Sequence, residues 1–239
     1  MPLRVAFDLD GTVADMYSAL RREAAKLFGK EQISRPVPKD PTPPVAEGET
    51  PNPEGPPANL PMDELHLTAR QQMQLWEHVR KTANFWMTLP ELEPGIIARI
   101  GKAAVERRWE VIFLTTRPST AGELTQMQSQ RWLEKHGFRF PSVYVVQRSR
   151  GRIADALQLD VVVDDRPENC LDVAVESKAK VILVWHGHLN NAPAGAKRLG
   201  VRAVTSISEA VTLIEQYDDR KNSPGLIKSI KKMIGRHET

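Results

Sequence analysis

The sequence predicts an α/β protein in which one parallel sheet lies between two layers of helices, and three observations predict it. Apolar runs such as Val5-Ala-Phe7, Val111-Ile-Phe-Leu114 and Val161-Val-Val163 show no polar alternation, the mark of strands buried on both faces. Stretches of helical period lie between these runs, which is the chain order that builds a parallel sheet. Three of the runs end abruptly in acids or hydroxyls, and in open α/β sheets ligands sit beyond the carboxyl ends of the strands.

Taken in order, Leu3–Phe7 is the first strand and Met16–Phe28 a helix. Ten of the 18 prolines then fall between Pro36 and Pro61. No hydrophobic period survives in PTPPVAEGETPNPEGPPANLP, so residues 34–61 form an extended, polyproline-type loop, too long to be buried in a small domain. Asp63–Phe85 has Leu67, Arg70, Met73, Leu75, Trp76 and Val79 at roughly helical spacing, a second helix. Pro94-Gly95 opens a helix through Glu106, and Glu110–Leu114 is a strand. Thr125–His136 is helical and stops at Gly137, a residue suited to ending a helix. Ser142–Val146, Val161–Val163 and Val181–Trp185 are further strands, with helices at Gly151–Leu157 and Asn169–Ser177. The expected division is a core of residues 1–15 and 94–219, an insertion at 16–93 and a tail at 220–239.

Composition narrows the class. Among 239 residues, 41% hydrophobic and 26% charged permit a sizeable core and exclude wholesale disorder. No apolar run approaches the roughly 18 residues of a membrane span, and an acid at position 8 comes too early for a signal peptide. The single cysteine, Cys170, cannot close an internal disulfide, so a reducing, cytoplasmic setting is expected; its own side chain is expected to pack on a helix. The formal net charge of +3 is uneven: residues 220–239 carry +5, leaving about −2 for the rest. Leu226, Ile227, Ile230, Met233 and Ile234 recur at helical spacing between lysines. Such a basic amphipathic helix suits an anionic surface, an acidic partner or its own domain.

The chemistry lies at the strand ends. The first strand runs into Asp8-Leu-Asp10-Gly11-Thr12, the second into Thr115-Thr116-Arg117, and another into Asp164-Asp165-Arg166-Pro167-Glu168-Asn169. Four carboxylates converging on one point raise one another's pKa unless a cation joins them. All-oxygen ligation suits Mg2+, which keeps several waters and leaves room for a phosphate. Asp8, Asp10, Asp164 and Asp165 are therefore candidate metal ligands. His186 and His188 have no Cys or further His beside them and are expected in a surface loop.

On these three motifs the chain resembles the haloacid dehalogenase (HAD) superfamily of phosphotransferases, whose fold is a Rossmann-like three-layer sheet with a cap inserted after the first strand. Residues 16–93 match such a small helical cap. The resemblance implies that Asp8 is the nucleophile, forming an aspartyl-phosphate. It also implies that Asp10 protonates the leaving oxygen and then activates water, its backbone carbonyl binding Mg2+. Thr115 is implied to bind the phosphoryl oxygens, with Gly11, Thr12, Thr116 and Arg117 as further phosphate-binding candidates, and Asp164 with Asp165 completes the metal site. The family places a Lys before the last acidic pair, but no Lys lies between Lys135 and Lys178. Of Arg148, Arg150 and Arg152, Arg150 fits that position best.

The strings Phe85-Trp-Met-Thr-Leu-Pro, Thr115-Thr-Arg-Pro118, Arg131-Trp-Leu-Glu-Lys-His-Gly137 and Asp164-Asp-Arg-Pro-Glu-Asn169 are similar to the 5'(3')-deoxyribonucleotidase branch. That likeness implies a nucleoside monophosphate substrate, with Phe85 and Trp86 placed to stack on the base or to pack the cap on the core. Polynucleotide 3'-phosphatase domains share the Asp-Asp-Arg feature and are the enzymatic alternative. A phosphate-binding protein that has lost turnover is the alternative outside enzymes, since the customary Lys is missing.

Overall fold

The structure is a computed structural model that describes residues 2–30, 65 and 67–222. The Pro-rich stretch 34–61 and the apolar-striped segment of the tail lie outside the described residues.

Six strands form one parallel sheet: β1 Arg4–Asp8, β2 Glu110–Thr115, β3 Ser142–Val145, β4 Val161–Asp164, β5 Lys180–Val184 and β6 Arg202–Val204. Eight α-helices are described around it: α1 Met16–Phe28, α2 Ala69–Lys81, α3 Ile96–Arg107, α4 Thr125–Lys135, α5 Arg150–Ala156, α6 Pro167–Glu176, α7 Ala194–Arg198 and α8 Ile207–Asn222. Alternate strand residues feed different cores, because side chains in a strand point to opposite faces. Val5, Phe7, Val161, Val163, Ile182 and Val184 join residues of α1, α2, α3, α4 and α8 in one buried cluster. Ala6, Val162, Val181 and Leu183 join α5, α6 and α7 in the other. Three layers result, as the near-continuous apolar runs predict. Among the described residues no helix is long and apolar enough to cross a membrane.

The strand order is β3-β2-β1-β4-β5-β6. The chain builds outward from β1 on one side, then returns to β4 and builds outward on the other. The β1/β4 boundary is therefore the switch point of the sheet, where loops diverge and leave a crevice. In register, Phe7 pairs with Val163 and Asp8 with Leu114, so the carboxyl ends of β1, β2 and β4 finish at one level.

The chain before α1 and the chain after the 3-10 turn at Phe85–Thr88 run side by side. The Asp15 N–H donates to the Pro90 carbonyl at 3.0 Å, and the Leu92 N–H to Val13 at 2.9 Å. The second helix is shorter than Asp63–Phe85. It starts after Thr68, whose hydroxyl accepts the Gln71 N–H while the Gln71 side chain accepts the Thr68 N–H, a reciprocal cap. It stops before Thr82, and Asn84 then adopts φ 56°, which turns the chain into a separate 3-10 turn at Phe85–Thr88. Leu20, Ala24, Leu75, Trp76 and Val79 of these helices belong to the same buried cluster as Phe7.

Beyond β5 the structure adds α7, β6 and α8. Helix α8 has Ile207, Ala210, Val211 and Ile214 fully buried, and it continues through Asn222, past the expected boundary at 219.

Candidate active site

Asp8 ends β1 and is buried. One of its oxygens, Oδ2, accepts the Asp10 N–H at 2.9 Å, so the chain turns around the carboxylate as it leaves the strand. The other, Oδ1, accepts from Arg150 Nη2 at 2.6 Å. Arg150 is the first residue of α5 and only 3% exposed, whereas Arg148 and Arg152 are exposed. Arg150 Nη1 is buried and makes no hydrogen bond.

The second acid has separate supports. Asp10 Oδ2 accepts the Thr115 hydroxyl at 2.9 Å, and Arg117 Nε lies 2.8 and 3.0 Å from its two oxygens. Arg117 is itself buried, with Nη1 donating to Ser129 on α4 at 2.9 Å and its guanidinium 5.0 Å from the Trp86 ring and 5.9 Å from Trp132. A desolvated guanidinium between indoles gains about 2 kcal/mol from each well-placed ring. Thr115 and Arg117 therefore face Asp10 rather than open space. Thr116, between them and just past the end of β2, is half-buried.

Phe85 and Trp86 are not open to a ligand. They are 1% and 0% exposed, and the Trp86 indole N–H donates to the Pro118 carbonyl at 2.9 Å. The reason is apolar burial: the 3-10 turn presses both rings onto α4, where Trp86 forms a wall behind Arg117. This corrects the expectation that they stack on a base.

Asp164 ends β4, the strand beside β1 on the side away from β2, and Asp165 follows it. Asp164 is buried and accepts the Arg166 N–H at 2.9 Å and the Asn169 amide at 3.1 and 3.0 Å. Asp165 Oδ1 accepts the buried Thr12 hydroxyl at 3.2 Å. Gly11 has φ +89°, and a Cβ there would stand 2.2 Å from Asp165 Oδ2, so both the conformation and the space demand glycine. His186, expected on the surface, is exposed but lies with Nε2 2.7 Å from the Gly11 carbonyl, a contact that puts the proton on Nε2. Sequence reasoning missed this link, as it missed Ser129; Asn169 stood in the last motif without a role.

Burial pushes the Asp8 carboxyl well above the usual carboxylate range; Asp164 adds to the rise, Arg150 opposes it, and Asp165 and Asp10 contribute less. Asp164 is raised by burial against the opposing charge of Arg150. Asp165 is pushed up to about 8, by burial first and by Asp164 second. The negative charge at this point exceeds what one guanidinium neutralises, and the donors are all oxygen, which fits a hard divalent cation. Among the described residues no group of three or more acidic, histidine or cysteine side chains is already gathered at metal-binding separation. Mg2+ does not need one, since it takes one or two carboxylates and fills its shell with water and phosphate.

No protein-family model matches the chain, and no curated protein does. Among solved structures it is similar to a haloacid dehalogenase-like hydrolase from Streptococcus pneumoniae, at TM-score 0.50 and 16% identity over 89% of this chain and 98% of that one. It is also similar to a HAD family hydrolase from Deinococcus radiodurans with bound phosphate and sodium, at TM-score 0.48 and 14% identity over 90% and 96% of the two chains. A HAD-superfamily hydrolase of subfamily IA from Geobacter sulfurreducens gives TM-score 0.46 and 13% identity over 89% and 100%. The first of these shows the fold: a parallel α/β sheet of the HAD-like type.

Proposed function

We propose that the chain is a Mg2+-dependent phosphomonoester hydrolase that works through an aspartyl-phosphate on Asp8. The observation that carries this reading is the pairing of two acids with different supports. Asp8 is held by Arg150 and the Asp10 amide, while Asp10 is held by Thr115 and Arg117. A carboxylate nucleophile and a separate acid/base divide hydrolysis into two easier steps.

In the first step an Asp8 oxygen attacks phosphorus, the bond to the leaving oxygen breaks, and Asp10 supplies the proton that oxygen needs. In the second step Asp10 takes a proton from water, whose oxygen attacks phosphorus and releases Asp8 and inorganic phosphate. Arg150 Nη2 orients Asp8, and its bondless Nη1 is available to a phosphoryl oxygen. Gly11 and Thr12 shape the turn beside Asp165. Mg2+ would be held by one or two of the Asp8, Asp164 and Asp165 carboxylates with the Asp10 backbone carbonyl, water and phosphate filling its shell, and would neutralise phosphoryl charge.

The substrate in this reading is a small phosphomonoester. Nucleoside monophosphates are the first class to test, on the strength of the Thr115-Thr-Arg-Pro118 and Asp164-Asp-Arg-Pro-Glu-Asn169 strings. A base, if present, is gripped by residues other than Phe85 and Trp86. The test is a screen of the purified protein over mononucleotides, sugar phosphates and 3'-phosphorylated DNA, with and without Mg2+. Turnover of one class that vanishes with EDTA is expected. No turnover of any class would leave the phosphate-binding reading in its place.

A further inference from the structure

Arg150 reaches Asp8 from the start of a short helix, and the anchor of that helix is Asp172 on α6. Asp172 Oδ2 accepts the Gly151 N–H at 2.9 Å and lies 2.9 Å from Ser149 Oγ, so the residues on both sides of Arg150 are tied to one carboxylate oxygen. Ser149 Oγ also accepts the Arg152 N–H at 3.1 Å and stands 2.6 Å from Glu176 Oε2. These amides are the ones a helix leaves unsatisfied in its first turn, and a carboxylate there is further favoured by the helix dipole. The two helices also touch closely. A Cβ on Gly151 would lie 2.4 Å from the Asp172 carbonyl oxygen and 2.7 Å from Glu176 Cβ. Three residues before Asp172, on the same face of α6, Asn169 grips Asp164.

We infer that Asp172 is a positioning residue for Arg150, and that α6 thereby sets both members of the charge arrangement around Asp8. One helix fixes the acid through Asn169 and the guanidinium through Asp172. An arginine needs such a support: it must put Nη2 at 2.6 Å from Asp8 while leaving Nη1 bare, and a shift of about 1 Å at its backbone costs reactions up to about a hundredfold. The inference rests on the proposed function for its catalytic readout.

The test is a double-mutant cycle on the full chain, with turnover of the best phosphomonoester and affinity for inorganic phosphate in Mg2+ as readouts. Asp172→Ala is expected to lower kcat about tenfold or more with KM changed less than about threefold. Asp172→Asn, which keeps a carbonyl acceptor for the Gly151 N–H, recovers most of that loss. In an Arg150→Ala background, Asp172→Ala changes kcat by less than about twofold, because the residue it places is gone. Phosphate affinity follows the same pattern. Should Asp172→Ala not fold, Ser149→Ala removes one of the ties and is read in the same way. A folded Asp172→Ala with wild-type kcat and phosphate affinity, or losses that multiply in the double variant, overturns the inference. Wild-type turnover in Asp8→Asn and Arg150→Ala instead overturns the reading of the site, so the two failures are distinct.

Discussion

Two buried arginines each face one acid, Arg117 on Asp10 and Arg150 on Asp8. Breaking a buried pair leaves an uncompensated charge and costs about 3–5 kcal/mol. Arg150→Ala is expected to reduce turnover by at least tenfold more than Arg148→Ala or Arg152→Ala, because only Arg150 touches Asp8 and the other two are exposed. Equal, small losses in all three, measured as kcat/KM, would move the charge-balancing role elsewhere. Asp8→Asn keeps the size of the side chain, so the fold is expected to survive. An amide cannot form the acyl-phosphate, and turnover should drop by about four decades or more, over 5 kcal/mol in barrier. Steady-state turnover within about tenfold of wild type would remove the covalent mechanism. The positions of the acids were legible in the residues, since DxDGT and the Asp-Asp pair stand at strand ends. The pairing was not. The resemblance singles out Arg150 from Arg148 and Arg152, but that its guanidinium meets Asp8 is decided by the start of α5.

At the scale of elements, α1 and α2 are joined through one buried acid. Glu23 lies 2.9 and 3.1 Å from Lys26 Nζ, 3.3 Å from Arg22 Nε and 3.1 Å from His78 Nε2 on α2. Burial pushes its carboxyl up, but the hydrogen bonds from Lys26, His78 and Arg22 prevail and hold it below the ordinary value of 4.5. A carboxyl with a lower pKa folded than unfolded stabilises the protein above the unfolded value, and the contribution is lost as pH falls through the folded one. Lys26 is 61% exposed, so solvent screening weakens its share. Glu23→Gln is expected to lower stability by about 1 kcal/mol at pH 7, with the difference from wild type closing below about pH 4. Urea unfolding at the two pH values checks this; a pH-independent gap would mean packing rather than charge. The periodicity of Met16–Phe28 predicted α1 to the residue. The end of α2 was not legible, because Thr82 and Asn84 stop the helix while Phe85 and Trp86 continue its apolar character into the core.

For the whole molecule, α8 closes the sheet. The Glu93 carboxylate accepts the Ile207 and Ser208 N–H groups at 2.6 and 3.1 Å, capping the helix from across the chain. Ile207, Val211 and Ile214 are fully buried, and each such side chain contributes about 1.5–3 kcal/mol. Together they approach the 5–15 kcal/mol that typically holds a domain. A chain ending at Ser206 is therefore expected to lose its cooperative melt, and one ending at Asn222 to keep it. Ending at Asp219 instead removes the last turn of α8 and the Lys221–Asp160 ion pair at 2.7 Å. A cooperative transition in the Ser206 chain by circular dichroism would show that α8 is peripheral.

By itself the sequence determined a parallel sheet covered by helices, since uninterrupted apolar strands must bury both faces and the intervening amphipathic helices supply the cover. It also determined which strand ends carry acids. Helix α8 was written there too, in Ile207, Ala210, Val211 and Ile214 at helical spacing, though it went unread. Only the tertiary structure decided which cation meets which acid: Arg117 with Asp10, Arg150 with Asp8, Lys221 with Asp160. It also decided that two aromatic rings beside the site are wall rather than platform. The physical reason is range. Burial patterns repeat every two or every 3.6 residues and can be read locally, whereas Arg150 and Asp8 lie 142 residues apart and meet through strand order and helix docking alone.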